Sequence, residues 1–265
     1  RDSFNTAVYL ARLGQATRYL TRLGDDSFSD DILAFLGEEG IDTRHCEQVA
    51  GRQPGLYVIH NDPCGERQFS YWRDSSPARE LFDEPVSLQG IDAFYFSGIT
   101  LAVCRNGLDQ LLVLLDTLRK QGCQVIFDPN YRPALWRNRA QAQDHYRAVL
   151  AGCDTVLPTL EDETALWDIE DIAGCRALYQ GFGARELVIK APDLTAHGFT
   201  DEQTVAVAAR AVPALDTTGA GDAFNAGYLA KRMAGGTMKE AIEAAQALAA
   251  TVVQQRGAII PRDSS

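Results

Sequence analysis

Apolar residues along this chain recur with two different periods, and the change from one to the other divides it. Over residues 3–13, Phe4, Ala7, Val8 and Ala11 fall on one helical face behind Ser3 as a cap, with Gly14 as the stop. Residues 17–23 read as a strand, and 32–36 lie inside a helix that Gly40 ends. Between residues 44 and 75 the period drops to two: 55–60 and 66–73 alternate around a turn at 61–63, the pattern of a hairpin. From residue 91 onward, apolar strands (91–96, 124–127, 155–157, 186–189) alternate with amphipathic helices (108–120, 140–150, 161–166, 172–182). Continuous apolar strands with helices between them predict an α/β fold, a doubly wound and mostly parallel sheet flanked by helices. We assign 1–43 and 76–265 to this body and 44–75 to a small β-sheet lid; an ordinary edge hairpin would show the same local pattern.

In such sheets ligands gather beyond the carboxyl ends of the strands. Polar residues line up there: Ser97 and Gly98, then Asp128, Asn130 and Arg132, then Glu161 to Glu163, then Lys190. A turn built on Asp-Pro-Asn would explain the second group structurally, and helix-start preference would explain the acidic third.

Composition narrows the partners. With 265 residues, 46% of them hydrophobic, the chain can bury one large core with a small appendage. A net charge of -11 argues against nucleic acid and against an anionic membrane, so an anionic substrate must be met by locally placed arginines. The six cysteines and four histidines are dispersed with no C-x-x-C pair, which suits reduced core thiols rather than disulfides or a zinc site. No apolar run is long enough to span a bilayer and no signal-peptide pattern is present, so we expect a cytoplasmic protein.

The most informative stretch is 216–227, D-T-T-G-A-G-D-A-F-N-A-G. Two glycines bracket Ala220 just before an apolar helical run, which leaves unblocked backbone N–H groups at a helix start, where they attract an anion. Asp222 would repel a phosphate there unless its carboxylate acts as general base on a hydroxyl beside it. A plain helix N-terminus is the competing account. A dinucleotide loop would need glycine where Phe224 stands, and a Walker A loop would need Lys-Ser/Thr after its last glycine; neither fits. Arg73, on one face of the second hairpin strand with Tyr71, could clamp a carboxylate together with Arg132.

Together these residues resemble the ribokinase-type (PfkB) carbohydrate kinases, whose C-terminal signature matches 216–224. Segments 2–6, 54–57, 65–67, 71–73, 128–136 and 257–262 resemble the family's sugar-acid members, so the likeness runs from end to end. The resemblance implies that Asp222 deprotonates a sugar hydroxyl attacking the γ-phosphate of ATP, while the Gly219, Ala220 and Gly221 amides stabilise the phosphoryl charge. It implies sugar contacts from Asp2, Asn5, Tyr57, Tyr71, Arg73, Asn130 and Arg132. Lys190, Thr218, Gly219 and Gly221 would meet the nucleotide, Glu163 would assist Mg2+, and the last helix (238–255) would flank the adenine. A monovalent cation such as K+ and a homo-oligomer are further implications. Three departures stand out: Arg1 replaces a glycine pair, and the family's first strand is expected to be missing ahead of it. An N-x-x-E motif reads as Leu160-x-x-Glu163, and a glycine-rich turn after Lys190 is replaced by Ala191-Pro192-Asp193.

Overall fold

The computed structural model describes residues 2–61 and 67–262, except for the side chains of residues 57–61, 67–69, 71 and 105. The chain opens with helix α1 (Asp2–Arg12), strand β1 (Arg18–Leu23), helix α2 (Ser27–Glu38) and strand β2 (Asp42–Gln48). A hairpin of β3 (Leu56–Asn61) and β4 (Arg67–Trp72) follows. The body continues with β5 (Ala93–Ser97), α3 (Gly98–Val103), α4 (Leu108–Lys120), β6 (Gln124–Asp128), α5 (Arg139–Leu150), β7 (Thr155–Val156), α6 (Leu160–Trp167), α7 (Ile172–Gly181) and β8 (Glu186–Lys190). It ends with β9 (Thr195–Phe199), β10 (Thr204–Ala208), α8 (Ala220–Met233) and α9 (Met238–Val253).

Six strands form the main sheet in the order β10-β9-β8-β7-β6-β5. The four from β5 to β8 are parallel, as their alternation with helices requires, and β9 and β10 add an antiparallel edge. That edge was not anticipated: Thr195–Phe199 is short and interrupted by His197 and Gly198, and β10 alternates exposed and half-buried positions as a solvent-facing strand does. Successive residues of β6 point to opposite sides of the sheet. Phe127 packs with Leu111, Leu115, Leu118 and Tyr146 on one face, and Ile126 with Phe224, Tyr228, Met238 and Ile242 on the other. Both Ile126 and Phe127 are fully buried, which explains why β6 reads as an unbroken apolar run. Truncating any of the large residues in these clusters to alanine removes roughly 2–5 kcal/mol.

The N-terminal strands differ from the expected boundary. β2 begins at Asp42, crosses residue 44 and pairs in parallel with β1, from Arg18 opposite Asp42 to Leu23 opposite Gln48. The hairpin itself is antiparallel, with Leu56 opposite Trp72 and Tyr57 opposite Tyr71. The turn anticipated at 61–63 and the side chains of Tyr57 and Tyr71 lie outside the described residues. Among the described residues, no helix is long and apolar enough to cross a membrane. Cys46, Cys104, Cys123, Cys153 and Cys175 are free thiols.

Candidate active site

The register of the parallel strands brings their polar ends level. Ser97 pairs with Asp128 across β5 and β6, and Lys190 ends β8 beside Thr159, to which it is bridged. Beyond these ends lies a cleft of roughly 330 Å³. Its walls combine Asp2 and Asn5 from α1, Asp128, Asn130 and Arg132 after β6, Thr159 and Asp162 at the start of α6, Lys190, and residues 217–222.

The first turn of α8 is built from a left-handed glycine. Gly219 caps the helix at φ +82°, a conformation that costs most side chains about 1–2 kcal/mol. A Cβ there would also come within 2.8 Å of that of Ala258. Asp216 fixes the loop from below: one carboxylate oxygen accepts from Thr218 N at 3.0 Å and the other from Gly257 N at 3.0 Å. This braced turn forms one wall of the cleft, and within it the Ala220 amide donates to Thr217 O at 3.3 Å.

Asp222 sits three residues into this turn and is only 8% exposed. The Asn5 side chain donates to it at 2.7 Å. Burial pushes its carboxyl up from 3.8 to about 7, and the negative charges of Asp2 and Asp128 push the same way, against the Asn5 hydrogen bond. That rise corresponds to roughly 4 kcal/mol, several times the ~0.3–1 kcal/mol that a helix N-terminus returns to a carboxylate. Burial wins, and the group is poised to give and take a proton near neutrality.

Opposite lie the polar ends of β6 and β8. Asp128 is buried, which raises its carboxyl, while the nearby Lys190 ammonium pulls it back. Lys190 Nζ stands 3.9 Å from Asp128 Oδ1 and lies over the ring of Phe224, 5.7 Å from its centroid. Asn130 adopts φ +39°, donates to Asp128 at 3.4 Å, and leaves its buried carbonyl oxygen without a protein partner. Arg132, half exposed, holds Asp162 at 3.0 Å. Such a half-exposed pair is worth only ~0–1 kcal/mol, so another anion can displace it easily. Amide donors, a proton acceptor and two cations in one cleft suit the transfer of an anionic group to a hydroxyl.

Comparison with known proteins agrees with this geometry. Residues 2–264 match the pfkB family carbohydrate kinase description. The chain belongs to the pfkB carbohydrate kinase family. It is 39% identical to the 2-dehydro-3-deoxygluconokinase of Escherichia coli K12, over 99% of this chain and 90% of that one. The enzyme of that name from Dickeya dadantii is 37% identical over the same shares. Among solved structures, a Vibrio cholerae fructokinase with fructose, ADP and calcium ion bound superposes with a TM-score of 0.84 at 26% identity, covering 98% of this chain and 86% of that one.

For a pfkB kinase, the structure places most of the anticipated residues together: Asp2, Asn5, Asn130, Arg132, Lys190, Thr218, Gly219, Ala220, Gly221 and Asp222 all line the cleft. It does not bring Glu163 there. Glu163 is fully buried on the inward face of α6, where Tyr179 donates to it at 2.6 Å and burial pushes its carboxyl up to about 8. Leu160 shares that face three residues earlier, whereas Thr159 and Asp162, each one residue upstream, line the cleft. Arg73 follows β4 and is not among the residues lining the cleft. No described residue of α9 lines it either; that helix packs behind α8. Ile99, Thr159 and Thr217 line the cleft without having been singled out, since none stands out from its neighbours in sequence.

Proposed function

We propose that this pfkB kinase phosphorylates 2-dehydro-3-deoxygluconate at its terminal hydroxyl with ATP, yielding the 6-phosphate. The observation that carries the reading is Asp222, held near neutrality beside the 219–221 amides and opposite Arg132 in one cleft. It is supported by the likeness to the two 2-dehydro-3-deoxygluconokinases described above.

Asn5 orients the Asp222 carboxylate, which takes the proton of the attacking hydroxyl. The 219–221 amides stabilise the equatorial oxygens of the phosphoryl group in flight. Asp2 and Asn130, with its unpartnered carbonyl oxygen, are placed for sugar hydroxyls. Arg132 exchanges Asp162 for the substrate carboxylate, a charge-assisted contact. Lys190 and Thr218 are placed for the nucleotide phosphates. Asp162, not Glu163, is the α6 carboxylate with access to Mg2+, in keeping with an ion bound chiefly by phosphates and water. Bound there, Mg2+ would neutralise phosphate charge. The hairpin, with Tyr57, Tyr71 and Arg73, serves in this reading as a lid that closes over the sugar. A K+-type cation and a homo-oligomer belong to the same proposal and are read by KCl titration and by gel filtration.

A coupled assay for ADP release with 2-dehydro-3-deoxygluconate, its galactonate epimer and fructose tests the reading. Turnover is expected to favour the acids over fructose by at least about 10-fold in kcat/KM, the worth of one charge-assisted contact. Preference for fructose would turn the assignment toward the fructokinases, with which the fold is shared.

A further inference from the structure

Two side chains behind the cleft wall, Tyr95 and Asn225, take no part in the chemistry described so far. Neither lines the cleft, yet both hydrogen-bond to residues that do. Asn225 is fully buried on α8, three residues after Asp222 and so on the same side of the helix. Its amide nitrogen donates to the Tyr95 hydroxyl at 3.1 Å, and its oxygen accepts from the Lys190 ammonium at 3.0 Å. The Tyr95 hydroxyl in turn donates to Asp128 Oδ2 at 3.2 Å and accepts from Thr6 at 3.5 Å. Lys190 closes the ring at 3.9 Å from Asp128 Oδ1.

The ring has one consistent direction. A phenol has a single proton, which goes to the carboxylate, so Asn225 must offer Tyr95 its nitrogen and Lys190 its oxygen. Reversing the amide would set NH2 against an ammonium. Burying an amide is unfavourable without such partners, and an apolar residue would fill position 225 more cheaply. What the amide oxygen provides is an acceptor that carries no charge. Lysine is a compact cation on a flexible four-carbon stem. Released from Asn225, it would close on Asp128 as a contact ion pair, and its field at the cleft would be largely cancelled. Held as it is, the ammonium donates to Asn225, stands 3.9 Å from Asp128 and keeps donor capacity for an oxygen in the cleft.

We propose that Tyr95 and Asn225 are positioning residues that hold the Lys190 ammonium off Asp128 and toward the transferring phosphoryl group. This role rests on the phosphoryl-transfer reading above. It acts through Lys190, so a double-mutant cycle separates it from simple packing. Tyr95→Phe keeps the ring and removes only the hydroxyl; it should lower kcat about 10-fold, with KM for ATP and sugar within about 2-fold of the unmodified chain. In a Lys190→Met background the same change should lower kcat less than about 2-fold. Asn225→Asp is nearly isosteric but pairs the ammonium with a charge; it should lower kcat by about 10², again with little change in KM for ATP. Thermal midpoints of each variant report folding separately.

Equal fold-losses from Tyr95→Phe in both backgrounds, or unchanged kcat in both Tyr95→Phe and Asn225→Asp, overturn the positioning role alone. Absence of ADP release by the unmodified chain with every sugar acid and with fructose overturns the kinase reading and this role with it.

Discussion

Two helices begin at the cleft with an acidic residue in the first turn, and they put those acids to different use. On α8, Asp222 lies beside glycine-borne amides and receives a hydrogen bond from Asn5. On α6, Glu163 turns inward to Tyr179, away from the cleft. Both carboxyls are buried and both are raised, to about 7 and about 8. A perturbed carboxyl is therefore not by itself a mark of function. Access is what differs: Asp222 lines the cleft and Glu163 does not, while its neighbour Asp162 does.

The strongest way to break this comparison is to remove the accessible base. Asp222→Asn keeps size and the amide environment, and should lower kcat by about 10²–10⁴ while ATP affinity, measured directly, stays nearly unchanged. In the unmodified enzyme kcat should rise with pH up to about 7 and then level, because the base acts only when ionised. Near-normal turnover in the asparagine variant would remove Asp222 from the reaction.

Arg132 sharpens the substrate side. Arg132→Ala should lower kcat/KM for 2-dehydro-3-deoxygluconate by about 10–10²-fold, the range for losing a hydrogen bond to a charged group. Fructose turnover should fall far less, since that sugar has no carboxylate to meet. Equal losses on both substrates would show that Arg132 serves the phosphates or the α6 helix instead.

The two neighbouring acids of α6 can be set against each other directly. Asp162→Asn should raise the Mg2+ concentration needed for half-maximal rate about 10-fold, the scale of outer-shell changes at a metal. Glu163→Gln should leave that concentration where it was. The reverse result would mean that α6 turns in the working enzyme.

Sequence patterning reached the fold because β6 to β8 are covered on both sides and so are apolar throughout, as Ile126 and Phe127 illustrate. It missed β9, which is short and broken by His197 and Gly198, and the edge strand β10, whose residues are exposed or half-buried. At the site, the 216–222 loop was legible because its backbone chemistry demands glycine at a left-handed position. Which α6 acid faces the cleft was not legible because three consecutive acidic residues look alike, and only the helical phase, set by Leu160 and Leu166, tells which faces inward. Tyr95 carries no signature, and Asn225, although it lies within 216–227, gives no hint of its partners: their role exists only once β5, β6, β8 and α8 meet.

The smallest expected effect concerns Glu163 and stability rather than rate. In the unfolded chain this glutamate ionises near its ordinary 4.5, whereas the folded protein holds its proton up to about 8. Between those values the native state binds the extra proton, so this contribution is complete below about 4.5 and fades as pH rises through 8. Asp222 acts in the same sense below about 7, and the glutamine variant retains it. The difference between the two proteins therefore isolates Glu163. Glu163→Gln keeps an oxygen for the Tyr179 hydroxyl and cannot ionise. Its thermal midpoint should decline less steeply from pH 5 to pH 8, with the unmodified chain losing a few degrees relative to it across that interval. Parallel slopes would show that water reaches the buried face of α6, and the contrast with Asp222 would then narrow to geometry alone.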